Sequence, residues 1–282
     1  MSKIAIVTDS TAYLPQPLVD QYHITVCPQI LIWDQATYQD GVDIQPTEFY
    51  QRLKTAKVMP SSSQVAIPTF KSVFDNLLDQ GYGVLAILLS AKLSGTVDSA
   101  VKAREASPQA PIEIVDSLTT GLEMGLHVLA AARAAAAGAS LAECKAIAEQ
   151  AQKHTHIFIT FETLEFLHRG GRIGGAQRFL GTALNIKPIL EIRDGRLEAV
   201  ERVRTRSKAL NRLIELVEQN VAGKKPVRLA CMHANAEAEA KAVLLQAETR
   251  LGAIETILGD VSPVIGTHAG PGTIGLAYMT EM

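Results

Sequence analysis

Most marks of electrostatic or covalent function are missing from this chain. Lysine and arginine number 27 against 29 aspartates and glutamates, spread along all 282 residues, and aromatic residues make up only 5%. Without a basic stripe, nucleic acid is excluded as the main partner. Three cysteines, Cys27, Cys144 and Cys231, are scattered with no metal-ligand spacing, which fits a reducing compartment better than secretion. None of the histidines has Cys or acidic neighbours at ligand spacing, so no structural metal is expected. There is no P-loop, no kinase motif set and no G-x-S-x-G elbow. The longest apolar run, residues 126–137, is broken by Arg133 and falls short of the roughly 20 residues that span a bilayer. Met1-Ser2-Lys3 leads directly into Ile4-Ala5-Ile6-Val7, which leaves no room for a signal peptide. A cytoplasmic protein with no integral membrane segment is expected.

What is present is apolar material, 47% of the chain, enough to give each of two domains a core. Residues 3–7, 84–89 and 112–115 read as short buried strands separated by helices over 70–80, 96–106 and 121–137. Such alternation predicts a parallel sheet covered on both faces. The pattern changes at Lys153-His154-Thr155-His156. Beyond it, Asp194-Gly195 predicts a tight hairpin between strands at 186–192 and 197–204. Helices follow over 207–221 and 236–250, with strands at 227–232, 254–258 and 264–267. The fold expected is an N-terminal parallel-sheet α/β domain, residues 1–153, and a C-terminal α+β domain, residues 154–282.

Loops beyond the carboxyl ends of parallel strands gather at one edge, where ligands bind. Here those loops are rich in hydroxyls: Thr8-Asp9-Ser10-Thr11, then Ser90 through Leu93-Ser94-Gly95-Thr96, then Asp116-Ser117. Ser94 precedes a helix whose free N–H groups attract an anion, although a serine there also reads as a plain helix cap. Pro60-Ser61-Ser62-Ser63-Gln64 is a hydroxyl-bearing loop, with a solvated surface turn as the bland alternative. His268-Ala269-Gly270-Pro271-Gly272 sets a histidine among glycines that let backbone approach a ligand, or it satisfies a local hydrogen bond. Thr163-Leu164-Glu165-Phe166-Leu167-His168-Arg169-Gly170-Gly171-Arg172-Ile173 reads as a short helix stopped by paired glycines, leaving Arg169 and Arg172 exposed on a corner.

Together with Leu184-Asn185-Ile186-Lys187-Pro188-Ile189-Leu190, that segment resembles the DegV family of fatty-acid-binding proteins. Its members carry T-L-E-x-L-x-R-G-G-R-I leading into N-I-K-P-I-L, and the resemblance extends from Asp9-Ser10-Thr11-Ala12 to Gly272. It implies a long-chain fatty acid as ligand, held between the two domains in a buried tunnel, with no cofactor. The family's P-T-T-S-Q and S-G-T motifs place carboxylate-binding hydroxyls on Ser62 and Ser94, flanked by Ser61 and Gly95. Its H-x-G-P-G motif gives His268, with Gly270, a part in orienting the carboxyl group. The protein would not itself be an enzyme: it would present the lipid to a separate fatty acid kinase that forms an acyl-phosphate, with Arg172 and Arg204 facing that partner. Ala91 replaces the second serine of the family's S-S-x-L-S-G-T, and serines replace both threonines of P-T-T-S-Q.

A hydroxyl-lined crevice with Lys92 as the nearest cation in sequence suits one carboxylate better than a phosphate. A sixteen-carbon tail removed from water contributes about 12 kcal/mol gross, against roughly 1.5–3 kcal/mol for each hydrogen bond to a charged head group. The tail would supply affinity and the hydroxyls orientation. Two rivals stand beside this reading. One is a serine hydrolase using Ser94 or Ser62 with His268 as base and Asp9 or Asp116 as the orienting acid. The other is a binder of a different apolar acid.

Overall fold

A helix that is apolar on every side must be covered on every side, and the helix Gly121–Ala136 meets that condition. Residues 121–129 along it are buried, including Leu122, Leu126, Val128 and Leu129. The apolar run too short for a bilayer is therefore a core helix, and each of its fully buried leucines contributes ~1.5–3 kcal/mol. Among the described residues, no helix is long and apolar enough to cross a membrane.

The computed structural model describes residues 3–180 and 186–282. Among them, the first half of the chain supplies β1 (Ile4–Asp9), β2 (Thr25–Cys27), β3 (Ile30–Trp33), β4 (Ala36–Gln39), β5 (Ser61–Ser63), β6 (Gly83–Leu88) and β7 (Ile112–Asp116). The second half supplies β8 (Thr155–Thr160), β9 (Lys187–Arg193), β10 (Arg196–Val203), β11 (Val227–His233), β12 (Glu255–Asp260) and β13 (Ile274–Thr280). The protein is a mixed α/β structure. A four-stranded parallel sheet runs β2-β1-β6-β7, and a six-stranded sheet runs β10-β9-β8-β13-β11-β12. The second is antiparallel except for the parallel pair β11 and β12. Helix Gly121–Ala136 packs on β1 and β6 of the first sheet and on β8, β11 and β13 of the second. One apolar core accordingly spans both sheets, from Ile6 and Leu85 to Ile157 and Met232. The outer faces of the sheets are closed by separate clusters, one including Phe70 and Phe74, the other Leu213 and Val243.

The structure departs from the sequence expectation in several places. A third sheet, β4-β3-β5, stands beside the parallel one, and the serine run expected as a loop is its strand β5, with Leu31 opposite Ser62. Polar residues hide a strand whose partner supplies the apolar side. Residues 264–267, expected as a strand, lie in the helix Pro263–Ala269. Proline at its first position favours that helix, and Ser262 Oγ accepts the Ile265 N–H at 3.2 Å. The unforeseen strand β13 is buried at every position and sits between β8 and β11, where a strand has no polar face to show. Leu184 and Asn185 lie outside the described residues.

The hairpin was legible. Asp194 and Gly195 both have positive φ, 49° and 82°, the turn geometry that matches strand twist. The turn docks on the other half of the chain: Ser90 Oγ donates to Gly195 O at 2.7 Å and Lys92 Nζ to Asp194 O at 2.6 Å.

Candidate functional site

The loops after β1, β6 and β7 converge, as parallel strands require. Asp9 fastens two of them: its carboxylate accepts the Thr11 N–H and hydroxyl at 2.9 and 2.6 Å and the Leu89 N–H at 2.8 Å. Asp116 accepts the N–H groups of Leu118 at 2.9 Å and Ala91 at 3.3 Å. Both acids are spent on backbone.

Beside these loops lies a cavity of about 200 Å³, on a measure where one water needs roughly 10–15 Å³. Its wall is built from both halves: Leu89, Leu93, Ser94 and Gly95 from the first, and Ile159, Phe161, Ile192, Leu197 and Met232 from the second. Helix Pro263–Ala269 contributes Val264, Ile265 and His268. Most of that surface is aliphatic.

Polar side chains line the cavity too: Ser62, Ser63, Gln64, Ser94, Arg172 and His268, with Thr11, Gln29, Thr120 and Thr273. Ser62 is the least exposed serine of β5; it lines the cavity with Ser63, and its Oγ lies 2.6 Å from His268 Nε2. His268 stands in the last turn of its helix, not on a free loop. Burial first, and the Arg172 charge second, push its pKa down to about 4, so the ring is neutral near pH 7. Its Nδ1 is buried without a hydrogen-bond partner and faces Gly170, where any Cβ would collide with it. An unpaired acceptor nitrogen costs less than an unpaired N–H, so the proton belongs on Nε2, donated to Ser62 Oγ. That leaves the Ser62 hydroxyl hydrogen free for a ligand.

Ser94 is not a helix cap, since Gly95 holds that position and no side chain caps the helix Thr96–Arg104. Its Oγ pairs with Thr96 Oγ1 at 3.0 Å. Buried Gln29 braces Thr96, donating from Nε2 at 2.9 Å. Gly95 is needed because the Gln64 side chain occupies the place of its Cβ.

The other expected site residues are placed differently. Ser61 is exposed and lines a neighbouring pocket of about 270 Å³, shared with Ser62, Arg169, Arg172, Thr267 and His268. Gly270 does not line the cavity; its φ of +75° and its contact with the Phe166 ring explain the glycine. Arg172 is exposed but also lines the cavity, donating from Nε to Leu93 O at 3.2 Å and from Nη1 to Gly170 O at 2.7 Å. Arg204 is exposed just past β10, at the opposite end of the hairpin from its turn. Lys92, nearest in sequence, reaches away to the hairpin, and Arg172 is the cation that borders the hydroxyls. Gln29 was missed, since an isolated glutamine carries no sequence signal, and Gln64 stood in the motif at 60–64 without a role assigned to it.

Two sheets clasping one helix and an amphipathic cavity define a two-lobed α/β protein built around an internal compartment. The chain belongs to the DegV family: the model described as "Uncharacterised protein, DegV family" matches residues 3–281. A DegV domain-containing protein of Listeria monocytogenes is 35% identical over 277 residues, 98% of each chain. Among solved structures, a DegV family protein from Thermus thermophilus, described for its fatty acid binding, superposes with a TM-score of 0.94 at 35% identity, covering 99% of this chain and 100% of that one. DegV of Bacillus subtilis, described as a fatty acid binding protein, gives 0.90 at 31% identity with all of both chains covered.

Proposed function

We propose that this protein binds one long-chain fatty acid in the cavity between residues 1–153 and 154–282, its carboxylate turned to Ser62, Ser94 and His268. The observation that carries this reading is the cavity's mixed lining: a mostly apolar wall that also holds Ser94 and the Ser62–His268 pair, its histidine neutral. A carboxylate there accepts the free Ser62 hydroxyl and the Ser94 hydroxyl, and Arg172 at the border offsets its charge without a full ion pair. The relatives described as fatty acid binding support the same ligand.

The bound lipid is presented to a separate fatty acid kinase, which makes the acyl-phosphate; this chain contributes no cofactor and no chemistry of its own, and works in the cytoplasm. Arg172 and Arg204, both exposed, supply positive charge for that encounter. The Ser62–His268 contact by itself would suit a serine hydrolase. Against it, the nitrogen that a triad acid would hold, Nδ1, meets only Gly170, while Asp9 and Asp116 are engaged elsewhere.

The test is mass spectrometry of lipid released on denaturing the protein purified from its expression host, with Ser62→Ala/Ser94→Ala alongside. Near-stoichiometric fatty acid in the wild type, reduced in the double variant, is the expected result. No lipid in either, together with turnover of a chromogenic ester, would replace the carrier by the hydrolase.

A further inference from the structure

The cavity has a second end. Val264, Ile265 and His268 line it from one face of the helix Pro263–Ala269, and Val261, two residues before that helix, lines it too, so the compartment runs alongside the helix. His268 marks the hydroxyl end. At the other end the Val261 N–H donates to His233 O at 2.7 Å, and the residue before His233, Met232, lines the cavity. Within the helix, Val264 and His268 are four residues and roughly 6 Å apart along the axis, and Val261 lies beyond Val264.

Met232 is 3% exposed, and its thioether occupies space left by two missing side chains. A Cβ on Gly121 would stand 2.5 Å from its Sδ, and one on Gly275, its partner across β11 and β13, 2.9 Å from its Cε. Gly275 has no positive φ to explain it; what it provides is room. An unbranched, polarizable side chain fills irregular gaps and changes rotamer readily. Lining the cavity at the end away from His268, with Thr120 also in its wall, such a residue meets whatever reaches that depth.

We infer that Met232 is the stop that sets the length of acyl chain the cavity accepts, with Gly121 and Gly275 forming the niche that holds its thioether. The inference rests on the fatty-acid reading and adds its chain-length rule. A chain that ends short of Met232 gains about fourfold in affinity with each methylene, the equivalent of ~0.8 kcal/mol. A chain that reaches it gains nothing further until the thioether moves.

Competition binding with saturated fatty acids of stepwise increasing length tests this on wild type, Met232→Ala and Gly275→Ala. Wild-type affinity should climb and then break at one length. Met232→Ala removes three heavy atoms and should move the break about three carbons longer. Gly275→Ala closes the niche, pushes the thioether toward the open cavity and should move the break shorter. Acids shorter than the wild-type break should bind all three proteins alike, which reports an intact fold and hydroxyl end, and either variant alone decides the matter. Breaks at one unchanged length would overturn the role of Met232 and leave fatty-acid binding standing. Failure of the wild type to bind any chain length would overturn both.

Discussion

The two ends of the cavity are built by different means. The hydroxyl end is assembled from β5, the loop after β6 and a helix terminus, and its groups are fixed by hydrogen bonds: Ser62 to His268, Ser94 to Thr96, Thr96 to Gln29. The Met232 end is assembled from β11, β13 and the start of the helix Gly121–Ala136, and Met232 is held there by packing against two glycines. Polar placement gives direction and little net energy, while apolar burial gives energy and little direction. A carrier of an amphiphile needs both, and this molecule keeps them apart.

The largest test of that division is to shorten the ligand. Among acids short enough to end before Met232, removing four methylenes should lower affinity by about 3 kcal/mol, roughly two orders of magnitude; calorimetry on two such acids would measure it. A drop of less than tenfold would mean the tail lies outside the cavity.

The next concerns the hydroxyl end alone. His268 titrates at about 4 in the folded chain, against an ordinary 6.5. Between those values the unfolded chain takes up a proton that the folded one refuses. Stability is therefore full above pH 6.5 and declines as pH falls toward 4, by up to about 3 kcal/mol from this residue. Buried His127, lowered to about 3, adds a slope of the same sign, so the difference between wild type and His268→Gln in urea titrations isolates the share of His268. Parallel pH profiles for the two proteins would remove that assignment.

Single hydroxyls come third. Ser94→Ala should weaken fatty-acid binding by about 1–3 kcal/mol at every chain length, without shifting length preference. Unchanged affinity would take Ser94 out of the site. Smallest of all, Arg204→Glu should leave lipid affinity within about twofold, since exposed charge far from a bound group is screened. The same variant should lose phosphorylation of its lipid by a fatty acid kinase, measured as acyl-phosphate formed; retained coupling would remove Arg204 from the partner surface.

Much of this was legible beforehand, because hydrophobic period and turn chemistry are local. The strands β1, β6 and β7, the core helix and the Asp194-Gly195 hairpin all declare themselves within a dozen residues. Motif resemblance singled out Ser62, Ser94 and His268, which all line the one cavity. Strand β5 did not declare itself, because three serines carry no apolar alternation. Helix Pro263–Ala269 did not, because a valine-isoleucine pair reads as strand until Ser262 and Pro263 are weighed as its start. The position of Arg172 beside the hydroxyls was hidden as well, since nothing in a Gly-Gly-Arg corner tells where the corner will dock.

The sequence by itself determined most of the elements, a parallel sheet in the first half and the types of group available to a ligand. Only the tertiary structure decided that the Gly170 backbone leaves the Nδ1 of His268 without a partner, that Arg172 and not Lys92 borders the hydroxyls, and that Met232 rests in a space two glycines leave open. Periodicity and capping act between residues a few positions apart, whereas a cavity is the space left when elements more than a hundred residues apart pack. No local rule describes that space until the packing exists.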